Sequence, residues 1–66
     1  MIIFTKHALI RIWERKIKKQ DVREALKNPD TKRTSSNGVT IFRKNKLEVA
    51  GEVIKNKIIV VTVYWI

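Results

Sequence analysis

Leu47-Glu-Val-Ala-Gly-Glu-Val-Ile-Lys-Asn-Lys-Ile-Ile-Val-Val-Thr-Val-Tyr-Trp65 is the stretch whose reading decides the fold. Leu47, Val49, Gly51 and Val53 share one phase and Glu48, Ala50 and Glu52 the other, the period of a half-buried strand. Lys55-Asn56-Lys57 then turns the chain. Ile58 to Trp65 follows as an almost unbroken apolar, β-branched run, the composition of a central strand. Two such runs across a short turn predict an antiparallel hairpin. The lone Gly51 inside a strand marks a bulge or a packing accommodation rather than a ligand site.

The same grammar extends toward the N-terminus. Lys44-Asn45-Lys46 is a second turn. Val39 to Arg43 alternates, with Val39 and Ile41 against Thr40 and Phe42. Ser36-Asn37-Gly38 has the chemistry of a tight turn, because Asn and Gly tolerate the positive φ angles a hairpin needs. Lys32 to Ser35 reads as a weak, polar strand. In the final strand Ile59, Val61, Val63 and Trp65 are expected to face the core. Thr62 and Tyr64 then share the opposite, open face with Thr40 and Phe42.

Before residue 31 the period changes from two to that of a helix. Thr5 suits an N-cap, since its hydroxyl can accept from an N–H two or three residues on. A first helix from Lys6 to Arg15 turns Ala8, Leu9, Ile12 and Trp13 inward, with Ile10 at the margin. A second runs from Lys19 to Lys27 with Val22, Ala25 and Leu26 as its buried stripe, and Asn28-Pro29 stops it. Ile2 to Phe4 is a brief strand or an apolar staple onto the first helix. The expected architecture is α+β: two N-terminal helices packed on one face of a three- to four-stranded antiparallel meander.

Sixty-six residues make a single domain, residues 1–66, of a size that buries only about 60% of its unfolded surface. Without Cys it has neither disulfides nor thiolate metal sites. One His and six carboxylates make a dedicated zinc site improbable, so no metal and no cofactor are expected. No run approaches the ~20 apolar residues of a membrane span, and Met1 to Phe4 is too short for a signal core, so a cytoplasmic protein with no membrane partner is expected. Fifteen Lys and Arg against six Asp and Glu give a net charge of +9. Such a balance suits RNA or another polyanion. A Lys-rich thermophilic surface is the competing reading, but such surfaces usually balance Lys with Glu.

On the first helix His7, Arg11, Glu14 and Arg15 fall on the side away from the core. A histidine beside two guanidiniums suits a phosphodiester: His7 as acid or base, Arg11 and Arg15 on the phosphate oxygens. An ordinary solvated face with local ion pairs has the same spacing. Tyr64 is the second catalytic candidate. Phe42 offers a stacking surface, and Lys16, Lys18 and Lys19 offer phosphate contacts. An open sheet face bearing Phe42 and Tyr64 also fits a homodimer interface. His7 and Tyr64 belong to one site only if the first helix lies at a sheet edge.

His7-Ala8-x-x-Arg11-x-x-x-Arg15, then Ile17, Asp21-Val22, Ala25-Leu26, Asn28-Pro29 and the closing Thr62-Val63-Tyr64, resembles a widespread family of small prokaryotic domains of unknown function. That family is similar in fold to the RelE-type messenger-RNA-cleaving toxins and their barnase-like relatives. The resemblance covers essentially the whole chain. It implies a metal-independent endoribonuclease of the toxin type, with RNA as substrate and an antitoxin as protein partner. The alternative is a non-catalytic nucleic-acid-binding or protein-interaction domain. The chain departs from the family pattern between the helices: Lys16 and Lys18 stand where relatives carry Gly and a Ser or Thr cap.

Overall fold

A computed structural model describes all residues, Met1–Ile66. In chain order the elements are β1 (Ile2–Phe4), α1 (Lys6–Glu14), α2 (Lys19–Lys27), β2 (Thr31–Thr34), β3 (Val39–Lys44), β4 (Leu47–Ile54) and β5 (Lys57–Trp65). The five strands form one sheet in the order β1-β5-β4-β3-β2. From β2 to β5 the chain is the expected antiparallel meander. The N-terminal stretch corrects the rest of the expectation: Ile2–Phe4 is a strand, it lies parallel to β5, and the sheet is mixed and five-stranded.

Thr5 ends β1 and starts α1 with the same side chain. Its Oγ1 accepts from the Ala8 N–H at 3.1 Å and its hydroxyl donates to the Val61 carbonyl at 3.2 Å. The other end of α1 is built without its usual residue. Lys16 N–H donates to the Trp13 carbonyl and Ile17 N–H to the Ile12 carbonyl, a terminating pair of bonds that requires a left-handed residue. Lys16, at φ 54°, supplies that conformation in place of glycine. At Lys18, the N-cap of α2, no side chain caps the helix.

One core joins both helices to one face of the sheet. Ala8 and Ile12 of α1, Ile17, and Val22, Ala25 and Leu26 of α2 meet Phe42, Leu47, Val49, Val60 and Val63. α1 packs on β5, α2 on β3 and β4. β1 pairs only with Ile58–Val60. Beyond it, the exposed edge of β5 is closed by α1, through Thr5 on the Val61 carbonyl and the Arg15 guanidinium on the Val63 carbonyl at 2.7 Å.

β5 does not keep a single phase. Gly51 pairs with Val60 but Ala50 with Thr62, so Val61 is an extra residue opposite the Ala50–Gly51 step. Before the bulge Ile58 and Val60 face the helices; after it Val63 does. Ile59, expected in the core, lies on the open side. The bulge also explains Gly51: a Cβ there would sit 2.9 Å from the Ile59 carbonyl oxygen.

Candidate nucleic-acid interface on the open sheet face

Strand alternation puts Arg33, Ile41, Arg43, Glu48, Ala50, Thr62 and Tyr64 on the face the helices leave bare. Arg43, Glu48 and Tyr64 stand in one cross-strand row, since Arg43 pairs with Glu48 and Glu48 with Tyr64. Glu48 is the unusual member. Although it faces away from the helices it is only 5% exposed. A covered carboxylate is expensive unless partnered. Its ion-pair partner is the Arg33 guanidinium, 3.6 Å away across β3, and the Tyr64 phenol stands next to it in the row. Hydrogen bonding to Glu48, then partial burial, then the Glu48 charge raise the Tyr64 pKa above its ordinary 10.0, with Arg33 opposing. The phenol is thus held protonated beside a carboxylate, with a largely exposed guanidinium facing both.

Arg33 and Glu48 were not singled out by the sequence. Arg33 sits in a polar strand among many cations, and Glu48 reads as the solvent-facing half of an alternating strand. Only the strand register brings them together.

The structure divides the residues singled out beforehand. Tyr64 lies on the open face. Phe42 does not: it is 3% exposed and faces α2, which corrects its assignment as a stacking residue. Thr40 is likewise on the covered face, hydrogen-bonded to Thr34. The phase of β3 follows its pairing with β4, where Phe42 lies opposite the fully buried Val49.

On α1, His7 is exposed and makes no hydrogen bond. Arg11 pairs with Glu14, and Arg15 reaches the Val63 carbonyl, one residue before Tyr64. The helix does run along the β5 edge, the condition under which its stripe and Tyr64 border one another. Its arginines are nonetheless already engaged with protein groups, and His7 hydrogen-bonds to neither. Lys16 and Lys18 are exposed, and Lys19 stands over the Phe4 ring with its Nζ 5.7 Å from the centroid. No three His, Asp or Glu side chains converge as a set of metal ligands, and no helix is long and apolar enough to cross a membrane.

The comparisons with known proteins agree with a small domain of this kind. The family model described as "Domain of unknown function (DUF4258)" matches residues 4–65. No curated protein and no solved structure matches the chain.

Proposed function

The chain belongs to the DUF4258 family, and from that premise we propose an RNA-binding domain of the RelE-like toxin type that cleaves RNA at the open face of its sheet without a metal. The observation that carries this reading is Glu48, a covered carboxylate on the uncovered face, held between Arg33 and Tyr64. Cleavage of RNA by its own 2′-hydroxyl needs a base for the 2′-proton, a cation for the charged phosphorane and an acid for the departing 5′-oxygen. Glu48 takes the first role. Arg33, a forked donor that stays charged, takes the second. Tyr64 takes the third.

In this reaction O2′ attacks phosphorus as its proton passes to Glu48. The P–O5′ bond breaks and O5′ receives the Tyr64 proton. A 2′,3′-cyclic phosphate and a 5′-hydroxyl result. Glu48 then returns its proton to the Tyr64 phenolate beside it on the neighbouring strand, and the raised pKa of that phenol favours the return. His7, Arg11 and Arg15, along the β5 edge, serve this face as phosphate contacts, and Lys16, Lys18 and Lys19, on the helix side, add to the +9 charge that draws RNA in. An antitoxin is the protein partner such an activity implies.

A second reading, RNA binding without cleavage, is favoured by the same burial, because a carboxylate 5% exposed offers a 2′-hydroxyl little access. Incubation with single-stranded RNA in EDTA separates the two. Cleavage is expected from the wild type and from His7→Ala, and loss of it, with RNA binding retained, from Glu48→Gln and Tyr64→Phe. Salt-sensitive binding with no cleavage by any form establishes the second reading. Binding indifferent to salt overturns both.

A further inference from the structure

We infer that the groove between α1 and α2 is a docking site for an acidic, amphipathic helix of a partner protein. The groove has a volume of about 720 Å³. Ile12 and Ile17, both buried, form its floor, and Leu9 and Trp13 form one wall. Trp13 was expected in the core, yet it is 82% exposed, and Leu9, one turn earlier on the same side, is 39% exposed. The domain does not need either for its own packing. α1 meets the sheet only along β5, so a contact this narrow accommodates Ala8 and Ile12 and leaves the flanking apolar side chains outside.

Two apolar residues at i and i+4 beside an apolar floor are the surface into which an amphipathic helix lays its anchors. An exposed Trp next to a concavity is the residue type that dominates such contacts.

The charge around the groove selects the occupant. Lys16 and Lys19 line it and Lys18 stands beside them, while the one acidic residue at its edge, Glu14, is paired with Arg11. A second copy of this chain, itself carrying +9, meets like charge here. An RNA strand would satisfy the lysines and leave the isoleucine floor unused. An acidic helix with one apolar stripe satisfies both. The groove lies on the helix side of the molecule, away from Glu48 and Tyr64, so its occupancy is independent of what the open face binds.

The probe is a designed helix with leucines at i, i+3, i+4 and i+7 and glutamate elsewhere, alongside a twin in which lysine replaces every glutamate. Indole N–H signals of the two tryptophans are followed by NMR in the intact chain. Saturable movement of the Trp13 signal is expected with the acidic helix and none with its twin. By calorimetric titration of the acidic helix, Trp13→Ala, which folds because that side chain is exposed, weakens binding roughly tenfold or more, as does the Lys16→Glu, Lys19→Glu pair. Equal binding of both probes, an unmoved Trp13 signal, or movement produced by concentrating the chain alone or by phosphatidylglycerol vesicles in preference to the helix overturns the inference.

Discussion

On the helix-covered face of the sheet Phe42, Val49, Val60 and Val63 are almost wholly buried and apolar, whereas on the opposite face Glu48 is buried among Arg33, Arg43 and Tyr64. The covered face is held by area removed from water, at about 25 cal/mol per Å². The open face is held by the need of one carboxylate for partners. Apolar residues inside are what any core requires and say little about function. A polar residue buried where no element covers it is the informative one. The two faces therefore make different predictions for substitutions one position apart.

The sharpest break comes at β3. Phe42→Ala removes a ring packed between sheet and α2 and is expected to cost ~3–5 kcal/mol, which approaches the whole stability of a domain this small. Ile41→Ala, the adjacent residue on the open face and partly exposed, is expected to cost less than about 1.5 kcal/mol. Urea unfolding of the two variants measures the difference. If Ile41→Ala proves the more damaging, the faces have been assigned the wrong way round.

Gly51→Ala is the next largest. The added methyl meets the Ile59 carbonyl at 2.9 Å, backbone that cannot swing aside, so a loss of ~1–3 kcal/mol and a lowered Tm are expected. A neutral outcome would mean that the bulge relaxes freely and does not fix the phase of β5.

That bulge marks the limit of what the chain shows on reading. Both helices were legible because their ends are written in single residues: Thr5 caps α1, and Asn28-Pro29 stops α2. The strands from Thr31 onward were legible from alternation and turns. The face of each strand was not. In Ile58–Val63 five of six residues are aliphatic, so composition fits either phase, and the inserted Val61 changes the phase midway. In β3 Thr40 and Phe42 oppose Gly51 and Val49, a register that only the paired strand supplies. The Glu48–Tyr64 pair was out of reach for the same reason: Tyr64 was read onto the open face, but Glu48, its neighbour in the cross-strand row, sits on another strand. The two Lys-Asn-Lys turns illustrate how fine the dependence is. Pairing of Lys44 with Leu47 leaves Asn45 first in its loop, while pairing of Ile54 with Lys57 leaves Lys55 first, so identical triplets put different residues at positive φ.

A smaller effect is expected at the helix end that faces the groove. Lys16 holds φ 54°, a conformation disfavoured by ~1–2 kcal/mol for a residue with a Cβ. Lys16→Gly removes that strain but frees the unfolded chain, which returns ~0.4–1 kcal/mol. A net gain of about 0.5–1 kcal/mol is expected, read as a higher Tm. Lys18→Ser, which would supply the missing cap of α2, is expected to add ~0.5–2 kcal/mol independently. Neither change touches Arg33, Glu48 or Tyr64, so kcat for metal-free cleavage of RNA should hold, while the loss of one cation in each weakens RNA binding modestly and lowers its salt dependence.

The subtlest test concerns the open face alone and asks whether Glu48 and Tyr64 are coupled. Tyr64 is the only tyrosine of the chain, so tyrosinate absorbance on raising the pH reports it without interference. Its midpoint is expected above 10.0, because ionisation would break the hydrogen bond to Glu48 and set a phenolate beside a carboxylate. Glu48→Gln removes the opposing charge and should lower the midpoint. Arg33→Ala removes the one nearby cation that favours phenolate and should raise it. The sign for stability follows from the direction of the shift. A pKa higher in the folded than in the unfolded chain contributes stability that is fully present below about pH 10 and is lost as pH rises through the folded value. Alkaline unfolding should therefore come earlier relative to neutral pH in the wild type than in Tyr64→Phe, where nothing at this position ionises. Matching alkaline profiles in the two, or a Tyr64 midpoint unmoved by Glu48→Gln, would mean that the buried carboxylate is satisfied by Arg33 alone and that the phenol only lies over it.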